Sequence, residues 1–230
     1  MAYLVSDSYS RDHWETDKKM KKIGLIGGAY NPVTKGHIAV AQYVLNHNVV
    51  EQIWLVPCMG HLFGKNMANA AQRIEMCRLA AKVDDRIKVC TYEITHFLKG
   101  STYDFLQLLL ATNHDANDPY EFSYIIGLDN ANEFDKWVNY EKLQSMIRFI
   151  VVSRQGVKRD TKVDWYLKPP HIFLNPDKGE VPECSSTEAI KLLGLSCHGK
   201  GLSSKQTTRL LELLDREVIE YIFNHSELYI

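Results

Sequence analysis

The sequence predicts an α/β fold: a doubly wound, mostly parallel sheet with helices on both faces and a helical C-terminal segment. Three observations lead there. Short apolar runs rich in β-branched residues recur along the chain, stretches of helical periodicity separate them, and loops bearing Gly, Pro or polar residues follow them. Strands that alternate with helices need crossover connections, which are right-handed and lay helices over both faces of the sheet.

The candidate strands are Ile23–Ile26, Ile53–Val56, Ile87–Val89, Phe122–Ile126, Phe149–Val152 and Ile172–Leu174. Between the first two, Ile38, Ala41 and Leu45 share one helical face, and after the second Ile74, Cys77 and Ala81 repeat that spacing. Phe105, Leu106, Leu109 and Leu110 form a further stripe behind the polar start Ser101-Thr102. From Thr187 the pattern is helical to the end, with Leu210, Leu211 and Leu214, then Val218, Tyr221 and Ile222, as apolar faces. In an open sheet of this kind, ligands bind beyond the carboxyl ends of the strands, where the strand order reverses. Interest therefore falls on the loops Gly27–His37, Pro57–Lys65, Gly127–Trp137 and Ser153–Gly156.

Composition bounds the rest. A chain of 230 residues, 45% hydrophobic, suits one domain with a substantial core, expected over residues 21–230. Residues 1–20 are polar and read as an extension, expected to be poorly ordered. A formal net charge of -1 leaves no basic excess for gripping a nucleic-acid backbone, whereas a small anion needs only a local positive site. The cysteines Cys58, Cys77, Cys90, Cys184 and Cys197 form no C-x-x-C pair, which suits free thiols in a reducing cytosol and argues against structural zinc. No apolar run reaches membrane-spanning length and the leader lacks a signal-peptide pattern, so a cytoplasmic protein with no membrane partner is expected. Whether it forms a homo-oligomer is left open.

The first strand runs into Gly27-Gly28-Ala29-Tyr30-Asn31-Pro32-Val33-Thr34-Lys35-Gly36-His37, with a helix starting near His37. Paired glycines let backbone amides approach a ligand, and a helix N-terminus adds donors and partial positive charge, which together make a phosphate cradle. A dehydrogenase would instead carry G-x-G-x-x-G and an acidic residue closing the second strand. That strand ends Val56-Pro57-Cys58.

The whole string resembles the signature G-x-F-x-P-x-(H/T)-x-G-H of the nucleotidyltransferase superfamily, with Thr34 and His37 in its two His/Thr and His slots. Later segments are similar to the nicotinate and nicotinamide mononucleotide adenylyltransferases within it. Val56-Pro57 is followed by His61, Lys65 and Gln72-Arg73-Ile74-Glu75-Met76. Gly100-Ser101-Thr102-Tyr103-Asp104 resembles the family's S-Y-T-Y-D, and Ile125-Ile126-Gly127-Leu128-Asp129-Asn130 precedes Trp137 at the family's spacing. Ser153-Arg154-Gln155-Gly156 resembles the strand ending in R-x-G, Ser185-Ser186-Thr187 the S-S-T motif, and Val218 to Ile222 with Leu228-Tyr229 the family's close. The chain departs from the S-S-T-x-x-R pattern at Ile190, which stands in the arginine slot beside Lys191.

The resemblance implies a Rossmann-like enzyme joining the AMP moiety of ATP to nicotinate or nicotinamide mononucleotide. It implies catalytic roles for His37 and Thr34, and an ATP site at Gly27, Gly28, Ala29, Tyr30, His37, Asp129, Ser186 and Thr187. The mononucleotide would meet Lys65, Thr102, Trp137 and Arg154. Several of these residues have a plainer reading: Lys65 as a solvated loop lysine, Thr102 as a helix cap, Trp137 as core, Arg154 in a surface ion pair. Magnesium is expected to bridge triphosphate oxygens, held by substrate and water, with no dedicated protein ligands. The alternatives are another transferase of the superfamily, such as the phosphopantetheine enzyme, or a nucleotide sensor without catalysis, which Ile190 suggests.

Overall fold

The computed structural model describes residues 20–60, 67–98, 101–114, 119–154, 156–197 and 201–225. Strands β1 (Lys21–Gly28), β2 (Gln52–Pro57), β3 (Ile87–Val89), β4 (Tyr120–Gly127), β5 (Arg148–Val152) and β6 (Ile172–Leu174) form one sheet in the order β3-β2-β1-β4-β5-β6. Every pairing is parallel, with Gly27 opposite Val56 on one side of β1 and Ile26 opposite Ile125 on the other. All six apolar runs are strands. β1 and β4 extend beyond them at their amino ends, where Lys21 and Lys22 pair with Tyr120 and Glu121.

The crossovers include α1 (Lys35–Asn46), α2 (Ala70–Ala81), α3 (Tyr92–Thr95), α4 (Thr102–His114), α5 (Leu128–Asn132) and α6 (Tyr140–Met146). Then α7 (Ser186–Cys197), α8 (Ser204–Leu213) and α9 (Arg216–Asn224) complete the helical C-terminal part. The period of two sorts each strand's side chains between two cores. Phe149 and Val151 pack with Phe105, Leu106 and Phe134 on one face, while Ile150 and Val152 join Leu45, Met76, Leu213 and Ile222 on the other. Helices α3, α5 and α6 are too short for apolar periodicity to reveal them.

Two helical stripes differ from expectation. Leu211 is 44% exposed and Leu213 is buried in its place, because α8 turns the Leu210–Leu213 edge inward. In α2 Ile74 is only half-buried, and its neighbour Arg73 is the residue that enters the core at 1% exposure. Among the described residues no helix is long and apolar enough to cross a membrane.

The Arg73 guanidinium donates from Nε to the Ala68 carbonyl (3.0 Å), from Nη1 to Ala29 (2.8 Å) and from Nη2 to Cys58 (2.7 Å). It thereby binds together the loop after β1, the loop after β2 and the approach to α2. Asn31 adds a tie, its Oδ1 accepting the Ala68 amide proton at 3.0 Å. Buried carbonyls left without donors carry a full desolvation cost, so Arg73→Ala is expected to lower stability by on the order of 3 kcal/mol or more. Arg73→Lys should not restore it, since one ammonium cannot reach three carbonyls in the directions of a planar fork. Urea denaturation measures both, and a loss under about 1 kcal/mol, no more than one ordinary hydrogen bond, would show that the loops are held by other contacts.

Candidate active site

A half-open cleft of about 620 Å³ lies at the carboxyl ends of β1 and β4, where the strand order reverses. Gly27, Gly28 and Ala29 line it from β1, and Gly127 from β4. Packing demands glycine at two of these places. A Cβ on Gly27 would overlap the Tyr124 hydroxyl, and one on Gly127 would overlap Oδ1 of Asp129 and lie 3.0 Å from Arg154. Backbone is thus bared to the cleft because side chains from neighbouring elements already fill the space where a methyl group would go.

At the start of α1, Thr34 and His37 fold onto each other as N-cap and third helical residue. The Thr34 amide donates to Nδ1 of His37 at 3.0 Å, and the Thr34 hydroxyl lies 2.8 Å from the same nitrogen. An amide can only donate, so Nδ1 must accept, and the ring proton belongs on Nε2. The ring lines the cleft, enclosed by protein on its other sides. Burial lowers the His37 pKa from 6.5 to about 4, and the nearby Arg154 cation pushes in the same direction. His37 is therefore a neutral Nε2–H donor at ordinary pH.

The side chain of Tyr30 does not line the cleft. Its backbone takes a positive φ of 49°, its ring is 1% exposed, and its hydroxyl donates to the Ile26 carbonyl at 2.6 Å. That ring lies under Gly28 and meets His37 edge-on at 5.1 Å, so Tyr30 supports both the glycine backbone and the histidine.

Thr102, Tyr124, Trp137 and Glu93 line one end of the cleft. Trp137 is half-buried, edge-on to Tyr124 (6.4 Å) and tilted on Phe134 (5.2 Å), so its ring is anchored in the core and also borders the cleft. Thr102, the first residue of α4, hydrogen-bonds Tyr124, whose hydroxyl is pushed well up by burial. Glu93 is 7% exposed, its Oε1 accepts the Met59 amide proton at 3.0 Å, and burial raises its pKa against the opposing pull of Arg73.

The other end is lined by Thr34, Gly36, His37, Ser185, Glu188 and Arg209. The three residues of the S-S-T motif have different surroundings. Ser186 lies off the cleft lining and donates to the Pro32 carbonyl at 3.0 Å, fastening α7 to the first loop; Thr187 is exposed and also off the lining. Ser185 takes the cleft position instead. Arg154 lines the cleft with its side chain half-exposed, its Nε 4.0 Å from Oδ1 of Asp129. Asp129 itself stands behind Gly127, and Asn130 is the α5 residue on the lining. Lys65 and His61 lie outside the described residues.

Glu93, Tyr124, Glu188 and Arg209 are cleft residues to which sequence reasoning assigned no role. Only Tyr124 had a signal, as a polar-tipped aromatic leading into Ile125-Ile126-Gly127 at the end of a candidate strand. Among the described residues no group of three or more His, Cys, Asp or Glu is placed to hold a metal ion.

An open parallel sheet that sets bare glycine backbone, a neutral histidine donor and an arginine around its switch point has the makings of a nucleotide-handling α/β protein. The chain belongs to the cytidylyltransferase-like family, whose model matches residues 25–192. Within it the chain stands with the nicotinate-nucleotide adenylyltransferases. The probable nicotinate-nucleotide adenylyltransferase of Anaeromyxobacter sp. (strain K) is 33% identical over 195 residues, 84% of this chain and 94% of that protein. The protein of the same name from Bacillus anthracis is 31% identical over 144 residues, 62% of this chain and 74% of its own length. Among solved structures, Plasmodium falciparum nicotinic acid mononucleotide adenylyltransferase complexed with NaAD has a TM-score of 0.73 at 23% identity, covering 89% of this chain and 96% of that one. That structural likeness speaks for the fold.

The His37 geometry is open to direct measurement. In the free protein, nitrogen NMR is expected to find the Nε2–H tautomer near neutral pH and a titration midpoint near 4, in place of the ordinary 6.5. Since the unfolded chain takes up this proton first, His37 contributes stability present above about pH 6.5 and lost as pH falls through about 4. A midpoint near the ordinary value would mean that the ring is solvated and not preset as a neutral donor.

Proposed function

We propose that this chain transfers the adenylyl group of ATP to nicotinate or nicotinamide mononucleotide, releasing pyrophosphate and giving the corresponding dinucleotide. The preset His37 donor on the glycine-bearing loop is the observation that carries this reading, and the shared name of the curated relatives supports it. Residues 21–230 act in this reading as one catalytic domain in the cytoplasm.

In this reading a phosphate oxygen of the mononucleotide attacks the α-phosphorus in line, a new P–O bond forms, and the bond to the β-phosphate oxygen breaks as pyrophosphate leaves. Such transfers depend on positioning and on stabilising charge, with little covalent work for the protein. His37 donates from Nε2 to oxygens of the α/β-phosphate region, and Thr34 holds its ring in the donor tautomer. The Thr34 contacts preset the Nε2–H, so it can meet developing charge without reorganising. The backbone of Gly27, Gly28, Ala29 and Tyr30 follows the nucleotide, with Asp129 beside it. Ser186 and Thr187 contribute through their amides at the start of α7, the Ser186 hydroxyl being engaged with Pro32.

The mononucleotide lies toward Thr102 and Trp137, with Arg154 and Lys65 on its phosphate. Trp137 offers a ring face backed by core residues, which suits stacking on a flat heterocycle. Magnesium on the triphosphate would neutralise charge there and orient the leaving group. The donor set fits a cation brought by the substrate, since the cleft offers hydroxyls, amides and arginines to the phosphates while Asp129 and Glu188 face arginines.

Purified protein with ATP and magnesium is expected to release pyrophosphate on addition of a pyridine mononucleotide and to stop when the metal is chelated. Turnover with phosphopantetheine and with neither pyridine mononucleotide would refute the assignment. His37→Ala should lower turnover by about two orders of magnitude while the fold persists, the usual cost of removing a preorganised donor. Trp137→Ala should raise the Michaelis constant for the mononucleotide several-fold and leave that for ATP nearly unchanged, since lost stacking costs about 1 kcal/mol. A fall in thermal stability with both constants impaired together would instead mark Trp137 as core alone.

A further inference from the structure

We infer that Arg209 on α8 is the cation that meets the triphosphate of ATP, and that Glu188 at the start of α7 presets its orientation; the inference rests on the adenylyl-transfer reading. A triphosphate brings several negative charges to the end of the cleft framed by the N-termini of α1 and α7. Among the described cleft-lining residues the permanent cations are Arg154 and Arg209. Arg154 sits beside Gly127 and Asp129 at the end of β4. Only Arg209 accompanies Ser185 and Glu188, where Gly36 of α1 packs against Cys184 and the Pro182 carbonyl. α7 supplies no cation of its own there, because Ile190 is half-buried and Lys191 is exposed and off the lining.

The way Arg209 is held fits this work. Glu188 accepts from its Nε at 2.8 Å and from its Nη2 at 2.9 Å, and Glu212 accepts from Nη1 at 3.0 Å. A guanidinium has five N–H donors, so two remain, on a side chain that is 38% exposed. The two-pronged hold on Glu188 fixes the plane of the fork and removes the repulsion a bare carboxylate would exert on an incoming phosphate. The Glu212 bond, to a side chain 57% exposed, is the one a phosphate oxygen can replace at least cost. The simpler alternative is a clamp joining α8 to α7, with no part in ligand binding.

Calorimetric binding of a magnesium-bound, non-hydrolysable ATP analogue to Arg209→Ala, Arg209→Lys and Glu188→Gln, with melting temperatures on the same preparations, tests the inference without depending on turnover. Arg209→Ala is expected to weaken the analogue about tenfold, as loss of a charge-assisted phosphate contact does, and to leave mononucleotide binding within about twofold. Arg209→Lys should restore part of the affinity, and Glu188→Gln, which keeps the cation, should weaken the analogue less than Arg209→Ala does. A change of less than about twofold in both Arg209 variants, or equal weakening by Arg209→Ala and Glu188→Gln with matching losses of melting temperature, would overturn it in favour of the clamp. If Arg209→Ala fails to fold, Arg209→Lys decides: unaltered analogue affinity refutes the inference, and a several-fold loss with mononucleotide binding intact supports it. Analogue binding that depends on Arg209 in a protein without pyrophosphate release would instead reject the adenylyl-transfer reading and leave the triphosphate contact standing.

Discussion

A parallel sheet gathers its connecting loops at the carboxyl ends of its strands, and their backbone carbonyls must find donors where strands no longer supply them. In this chain one buried guanidinium answers much of that demand. Arg73 projects from α2 under the cleft and donates to Ala29 in the β1–α1 connection and to Cys58 and Ala68 at the two ends of the β2–α2 connection. An arginine is suited to the task because its donors diverge in one rigid plane and its charge is never lost. Around it the arrangement closes: Glu93 holds the Met59 amide, and Asn31 holds the Ala68 amide. The first loop, and with it the glycine backbone and Tyr30, therefore has a fixed base on which His37 is seated.

The cleft has two chemically distinct ends. One is built of N–H donors and cations around two helix N-termini, with His37 kept neutral by burial and by the Arg154 charge. At the other lie Trp137, Tyr124 and the buried Glu93, a surface of aromatic faces and one carboxylate. A ligand with a polyanionic end and a flat heterocycle matches that polarity. Membership of the cytidylyltransferase-like family, and standing among the nicotinate-nucleotide adenylyltransferases, agree with this division of the site.

Ser186 shows how one motif can serve the fold and the site together. Its hydroxyl secures α7 to the Pro32 carbonyl, which brings the N-terminus of α7 beside that of α1 and leaves Ser185 on the lining. Gly36 permits the same approach from the other side, since a Cβ there would press on Cys184 and Pro182. The residues that build the site are in this way also residues that dock one helix against another.

What the sequence determined by itself is what short-range periodicity and local pairing control. The six strands follow from runs of β-branched and aliphatic residues, and their alternation with helices dictates a parallel sheet with its site at the carboxyl ends. The glycine pair of the first loop is legible in the sequence, and Thr34 and His37 stand out through the resemblance of that loop to the nucleotidyltransferase signature, while their contact through Nδ1 is a finding of the structure. Tertiary structure alone decided which residues from distant segments meet. Arg73 entered the core where periodicity favoured Ile74, Leu213 displaced Leu211 from the buried face, and Arg209 reached the cleft from a helix with no motif in its sequence. The reason is physical: a period of 3.6 or 2 tells which residues share a face, but the direction of that face, and the partners that satisfy a buried charge, are set by the packing of elements far apart in the chain.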